Sequence, residues 1–123
     1  MKLKNMRITI TTNGDGVGAG YGDAVFGQLY AVQLIDGSFV DGVGITITCE
    51  HEDISRPILT KANFDIDSTY YPRELVHAVA DGAALTGTSG GDRVMPVILG
   101  RPKVAIASGG ATKVGGVILY YFE

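Results

Sequence analysis

Apolar and polar side chains alternate along several short stretches of the chain, which is the pattern of half-buried β-strands. Arg7–Thr12, Ile45–Glu50 and Phe64–Ser68 show this alternation most clearly. Leu29–Ile35 is apolar except for Gln33 and predicts a central strand covered on both faces. Since no regular alternation of strands and helices follows, we expect an all-β fold, an antiparallel β-sandwich or barrel-like sheet.

Prolines mark three further segments. Ile54–Thr60 contains Pro57, which cannot donate a ladder hydrogen bond, so we expect an edge strand or a bend here. Val94–Leu99 predicts a strand interrupted by its own proline. Pro72–Leu85 has apolar residues at helical spacing behind a proline that can begin a helix, but an Asp-Gly pair would end it early. We therefore expect at most one short helix.

Two apolar runs near the C-terminus predict a β-hairpin. Lys103–Ser108 and Val117–Phe122 are strand-like and are joined by a glycine-bearing connector, while Gly100-Arg101-Pro102 predicts a turn before them. The last run is apolar at every position. One face carries Val117, Leu119 and Tyr121, and the other carries Ile118, Tyr120 and Phe122.

A strand that is apolar on both faces needs cover on both faces. A chain of 123 residues forms one domain, 1–123, whose single core can cover one face of the last strand. A loop, a second layer or another subunit must cover the other face. The sequence leaves open which face is which, and it favours assembly over catalysis.

Composition excludes several classes of function. Apolar residues make up 46% and charged residues 19%, as expected of a globular chain. The net charge is -3 and the basic residues form no cluster, which argues against nucleic-acid binding. No apolar run approaches the roughly 18 residues of a membrane helix, and no signal peptide is recognisable. We expect a protein made in the cytoplasm without a membrane partner.

Glycine is unusually frequent, with 18 residues. Gly14-Asp15-Gly16-Val17-Gly18-Ala19 matches the dinucleotide-binding fingerprint, and Asp36 follows about 20 residues later. That fingerprint needs a helix, which the many glycines of Gly14–Gly22 oppose. We expect this segment to be a mobile or partner-ordered loop, and we expect no nucleotide cofactor.

Other candidate chemistry is sparse. Glu50-His51-Glu52-Asp53 offers metal-ligand types, but neighbouring strand residues point apart. Asp65 and Asp67 share a strand face without a partner base or nucleophile, so we expect a solvated face. His77 lies in an apolar neighbourhood, and Cys49 is the single cysteine. We expect no enzyme activity, no cofactor and no metal.

Part of the sequence resembles a known class of structural protein. Tyr70-Tyr71-Pro72-Arg73 followed by Asp81-Gly82-Ala83-Ala84, and the late pattern Gly100-Arg101-Pro102-Lys103-Val104 with an aromatic last strand, resemble capsid decoration (cement) proteins of tailed bacteriophages. The resemblance covers the chain from Phe64 onwards. It implies an all-β homotrimer, made in the host cytoplasm, that binds the major capsid protein on the exterior of the virion and stabilises the head.

The candidate interface consists of the apolar last strand and the Tyr-Tyr-Pro-Arg segment: Val117, Ile118, Leu119, Tyr120, Tyr121, Phe122, Tyr70, Tyr71 and Arg73. Alternatives are another phage head-completion or tail structural protein, or a carbohydrate-binding module. The last would use some of the six tyrosines and four phenylalanines as platforms, although the chain has no tryptophan.

Overall fold

The computed structural model describes residues 2–52, 54–75 and 93–123. Regular structure within these ranges is entirely β. The strands are β1 (Leu3–Thr11), β2 (Gly18–Tyr21), β3 (Val25–Ile35), β4 (Gly44–His51), β5 (Ile54–Lys61), β6 (Ser68–Tyr70), β7 (Glu74–Leu75), β8 (Arg93–Val94), β9 (Val97–Ala107) and β10 (Val114–Phe122). The expected all-β fold is confirmed, and no helix in the described part of the chain is long and apolar enough to cross a membrane.

Eight strands form one antiparallel sheet in the order β1-β10-β3-β9-β4-β5, with β2 added to β9 and β6 added to β3. β7 and β8 form a separate two-stranded pair. β5 ends the order, so the strand containing Pro57 lies at an edge, where a missing backbone donor is tolerated. A register shift between Ile47 and Thr48 accompanies this pairing and bends the edge.

The long strands β3 and β9 change partners along their length, which lets the sheet fold over itself. β9 pairs with β3 through Val97–Gly100 and with β4 through Arg101–Ala107. Gly100 lies where β9 changes its pairing partner from β3 to β4, and its φ is 115°. A Cβ at this position would collide with the Glu50 carbonyl oxygen. We call β1, β10, β6 and the second half of β3 the first layer, and β2, β4, β5 and the second half of β9 the second layer.

The hydrophobic core lies between these two layers. Its largest fully buried side chains are Ile10, Leu29, Leu34, Ile45, Ile47, Ile98, Ile106 and Leu119. Inward residues alternate with outward ones along β4, β9 and the second half of β1, as the sequence pattern predicts for half-buried strands. The architecture is therefore sandwich-like.

The glycine-rich segment differs from expectation. The Asn13–Gly16 turn is present, and the Asn13 side chain accepts hydrogen bonds from the amides of Asp15 and Val17. Gly18–Tyr21, however, is strand β2, paired with Val104 and its neighbours in β9. The expected mobile loop is therefore wrong for this half of the segment.

The glycines of β2 allow the two layers to approach each other. A Cβ on Gly18 or Gly20 would meet the Ile10 side chain of β1, and one on Gly22 would meet Met6 and Ile8. Glycine is required here because the large residues of β1 fill the space that side chains of β2 would occupy.

The expected C-terminal hairpin is also wrong. β9 and β10 exist, but β10 lies between β1 and β3 and does not pair with β9. The intervening loop crosses between layers and is held by Thr12, whose hydroxyl donates to the Gly110 carbonyl and accepts from the Lys113 amide. The turn expected at Gly100-Arg101-Pro102 is absent because these residues continue β9.

Smaller differences concern three strands. Of the strand expected at Phe64–Ser68, only Ser68 is in a strand, at the start of β6. Val94–Leu99 is split into β8 and β9 at the expected proline. At Pro72–Leu85, the described residues hold the short strand β7, and the rest of the expected helix lies outside the described residues.

Candidate binding face

The two faces of β10 have different environments. Val117 and Leu119 are fully buried and Tyr121 nearly so, which places them in the core. Ile118, Tyr120 and Phe122 point to the opposite side and are half-buried. The structure thus settles the question that the sequence left open, and it removes three of the nine predicted interface residues from the surface.

The outer side of β10 is part of a wider apolar surface. Residues paired across antiparallel strands share a face, and Phe122 is paired with Leu3 of β1 while Tyr120 is paired with Ala31 of β3. We define the outer aromatic face as Leu3, Tyr30, Tyr71, Ile118, Tyr120 and Phe122. Leu3, Tyr30 and Tyr71 are 49%, 40% and 57% exposed, so the face is open to solvent.

Tyr30 lies at the centre of this face because of a register shift. Tyr120 pairs with Ala31, but Tyr121 pairs with Leu29, which leaves Tyr30 as the extra residue of a β-bulge. Its ring packs edge-to-face against Phe122 and against Tyr71, with centroids 5.8 Å apart in both pairs. Sequence reasoning missed Tyr30, since a bulge depends on how two distant strands pair.

Arg73 ties the segment after β6 to the bulge. Its Nη1 donates hydrogen bonds to the carbonyls of Tyr30, at 2.9 Å, and of Pro72, at 2.6 Å. Its guanidinium carbon lies 5.7 Å from the centroid of the Tyr30 ring. Arg73 therefore satisfies a backbone acceptor and holds Tyr71 beside Tyr30.

Tyr70 belongs to the other side of the sheet. It is paired with Val32 and is partly buried against the core, so it lies apart from the outer aromatic face. Of the predicted set, Tyr71, Phe122 and Arg73 contact Tyr30. Tyr120 lines the same groove as Tyr30, and Ile118 lies on the same side of β10 as Tyr120. The folded chain brings these residues together across more than forty positions of sequence.

A groove of about 260 Å³ crosses the outer aromatic face. Ala31 forms part of its lining, and the other lining residues are Leu3, Tyr30, Gln33, Thr69, Tyr71 and Tyr120. The Tyr120 hydroxyl donates to Gln33 Oε1 at 3.2 Å. The lining is uncharged and combines aromatic rings with hydroxyl and amide groups.

The second layer carries a separate groove of about 360 Å³ lined by residues of β4, β5 and β9 and by Val17, just before β2. Four of its ten lining residues are glycine or alanine, including Gly44, Ala105 and Ala107. Nearby on β9, Arg101 and Lys103 lie over the ring of Tyr21, at 4.9 and 5.7 Å from its centroid. The Glu50 carboxylate oxygen Oε1 lies 3.9 Å from Lys103 Nζ and partly neutralises the charge of this lysine.

The aspartates that the sequence singled out have structural partners. Asp65 accepts a hydrogen bond from the Gly42 amide, and Asp67 accepts one from the Asp36 amide. They stabilise the loops at one end of the sandwich. Burial first, and then the nearby carboxylates of Asp65, Asp67 and Asp41, raise the pKa of the Asp36 side chain.

Among the remaining candidates for chemistry, the structure describes His51 and Cys49. His51 is exposed, and its ring packs edge-to-face against Phe26 with the ring centroids 5.7 Å apart. Cys49 is buried, and burial raises the pKa of its thiol. No three His, Cys, Asp or Glu side chains among the described residues are grouped so as to hold a metal ion. His77 and Asp53 lie outside the described residues.

The dinucleotide fingerprint lacks its required structure. The residues after Gly16 enter the extended strand β2, whereas the fingerprint places a helix N-terminus at the pyrophosphate.

Comparison with protein-family models, curated proteins and solved structures found no match for this chain.

Proposed function

We propose that this protein is a virion structural protein, a capsid decoration module that stabilises a phage head by bridging capsid subunits. The observation that carries the proposal is the outer aromatic face, which gathers predicted interface residues from β10 and from the segment after β6. The resemblance of Tyr70-Tyr71-Pro72-Arg73 and of the C-terminal region to decoration proteins supports the same function.

The physical properties of the face suit protein contact. Monomeric proteins seldom expose large contiguous apolar patches, and such patches mark interaction sites. Tyrosine is enriched among the residues that dominate interface energies. Tyr30 and Tyr71 are held in place by ring contacts and by Arg73, so little side-chain freedom is lost when a partner covers them.

The proposed partners are the major capsid protein and two further copies of this chain in a homotrimer. A module that contacts several subunits at once holds each subunit by linked contacts, which raises their effective concentration. Loss of one subunit from the shell then breaks several contacts together. The proposed location is the capsid exterior, after synthesis in the host cytoplasm.

A shell-binding experiment tests this proposal. The purified protein would be mixed with empty shells assembled from the major capsid protein encoded in the same genome, and bound protein would be measured by sedimentation. Tyr120→Asp places a charge in the outer aromatic face and should abolish binding while leaving the fold intact. Ser55→Asp, at an exposed position of β5 in the second layer, is the matched control and should bind normally.

Quantitative mass spectrometry of purified particles measures copy number. Many copies per particle support decoration, a few indicate a head-completion or tail component, and none contradicts a virion role. Light scattering of the free protein tests the trimer, and a monomer at high concentration would contradict that part of the proposal.

A further inference from the structure

We propose that the groove on the outer aromatic face binds a single neutral saccharide ring, because it places the rings of Tyr30, Tyr71 and Tyr120 beside the polar groups of Gln33 and Thr69. This inference goes beyond the proposed function and does not depend on it. Ile118 and Phe122 lie outside the lining of the groove, so their substitution separates the two proposals. Tyr30 and Tyr71 belong to both sites, so a partner that covers them competes with the sugar.

The uncharged lining selects the class of ligand. An anion or cation entering the groove would lose hydration without meeting an opposite charge among the lining residues, which is costly. Arg73 approaches the ring of Tyr30, but its Nη1 is engaged by two backbone carbonyls. A neutral ligand with both apolar and hydrogen-bonding surfaces fits this environment.

A saccharide ring has these two kinds of surface, since its C–H groups form apolar faces and its hydroxyls project from the edge. Tyrosine offers a matching combination of an apolar ring and a polar tip. The rings of Tyr30 and Tyr71 meet at 78°, so they form a corner in which a sugar can stack on one ring and contact the other.

Hydrogen-bonding groups lie beside this corner. Gln33 accepts from the Tyr120 hydroxyl through its carbonyl oxygen, and its amide nitrogen supplies N–H donors. Thr69, paired with Gln33 on the neighbouring strand, supplies a hydroxyl that can donate or accept. These groups can replace water at the hydroxyls of a bound sugar.

The size of the groove limits the ligand to about one ring. Its volume of about 260 Å³ is below the roughly 300–1,000 Å³ of pockets that hold drug-sized molecules. Proline-rich peptides also bind aromatic grooves, but they occupy extended ones. The short groove and its amide and hydroxyl groups favour the sugar over the peptide.

An NMR titration of the ¹⁵N-labelled protein tests the proposal. The probes are glucose, galactose and N-acetylglucosamine, with a decaproline peptide as the competing class. We expect one sugar to bind with a dissociation constant on the order of 1 mM. The shifted amide signals should belong to Ala31, Gln33 and Thr69.

Two tyrosine variants provide the matched comparison. Tyr71→Ala removes a highly exposed ring from the groove and should weaken sugar binding at least about tenfold. Tyr21→Ala removes an exposed ring from the second layer and should leave the affinity for the sugar unchanged. Circular dichroism confirms that both variants are folded.

Three outcomes would overturn the proposal: none of the three sugars shifts the groove amides, Tyr71→Ala binds sugar as the parent does, or the peptide alone shifts those amides. The shell experiment fails independently of these results. Ile118→Asp should abolish shell binding and preserve sugar binding, so the two proposals can be refuted separately.

Discussion

Adjacent residues of β10, Leu119 and Tyr120, should respond very differently to truncation. Leu119 is fully buried, and its cross-strand neighbours are Met6 of β1 and Val32 of β3. Tyr120 is half-buried on the outer aromatic face. We expect Leu119→Ala to destabilise the protein strongly, and Tyr120→Ala to affect mainly the binding of partners.

The magnitude for Leu119→Ala follows from its burial. Three carbon atoms are removed, which at about 0.8 kcal/mol each accounts for about 2.4 kcal/mol of transfer free energy. Strands on both sides limit collapse around the cavity, so we expect a total loss of about 3–4 kcal/mol, within the measured range of roughly 2–5 kcal/mol for such changes. With an unfolding entropy of about 0.26 kcal/mol/K for this length, 3 kcal/mol lowers the Tm by about 12 °C.

The cost for Tyr120→Ala should be smaller. The variant loses one partly buried hydrogen bond to Gln33 and the partial burial of one ring. We expect a decrease of about 2 kcal/mol in the free energy of unfolding, of which the hydrogen bond accounts for about 1 kcal/mol and the lost burial for the rest. Its main effect should appear in light scattering and in shell binding.

Urea unfolding followed by circular dichroism measures both variants against the parent. Equal m-values would show that the extent of unfolding is unchanged. If Tyr120→Ala costs as much as Leu119→Ala, the outer side of β10 is covered by this chain itself and the assignment of the outer aromatic face is wrong. If Leu119→Ala costs less than about 1 kcal/mol, Leu119 does not occupy the core.

Three further predictions concern positions away from this pair. Gly116→Ala would place a Cβ against the Ile8 carbonyl oxygen and should cost at least about 2 kcal/mol in urea unfolding, whereas Gly14→Ala, in open space, should change stability by less than about 0.5 kcal/mol. Asp36→Asn should stabilise the protein at pH 7, because burial and neighbouring carboxylates raise the pKa of Asp36 in the folded state and thus disfavour its charged form. The folded state then binds more protons than the unfolded state. The cost of the charged Asp36 to stability is therefore absent below pH 3.8, the ordinary pKa, and grows as the pH rises through the raised folded value. The stability advantage of Asp36→Asn should vanish in acid, and an advantage that persists there would refute the raised pKa of Asp36. Deletion of Gly16–Gly20 removes most of β2 and should prevent cooperative folding, which circular dichroism and thermal melting would detect.

The sequence by itself determined the secondary-structure class and several local features. Alternating stretches such as Ile45–Glu50 became half-buried strands, because the two-residue period of side-chain direction is a property of the extended backbone. Pro57 marked an edge strand because it lacks a backbone donor. Asn13 marked a turn because its side chain bonds nearby amides.

The tertiary structure decided which strands pair, and this determined the candidate site. Lys103–Ser108 and Val117–Phe122 were correctly predicted to form strands, but their hairpin was wrong because local periodicity carries no information about a strand's partner. From the sequence alone, the glycines of β2 predict a loop. The residue that requires them, Ile10 of β1, lies nearly ten positions away and packs against the strand only in the folded chain.

The pairing of distant strands also determines which residues make up the outer aromatic face. The sequence showed that both sides of β10 are apolar, but the inner side could be assigned only when β1 and β3 were placed beside it. Tyr30 lies on the outer aromatic face because of a β-bulge, whereas Tyr70 points towards the core because it is paired with Val32. Side-chain direction along one strand is a local property, whereas the face that becomes buried depends on the layer that covers it, and that layer comes from distant parts of the chain.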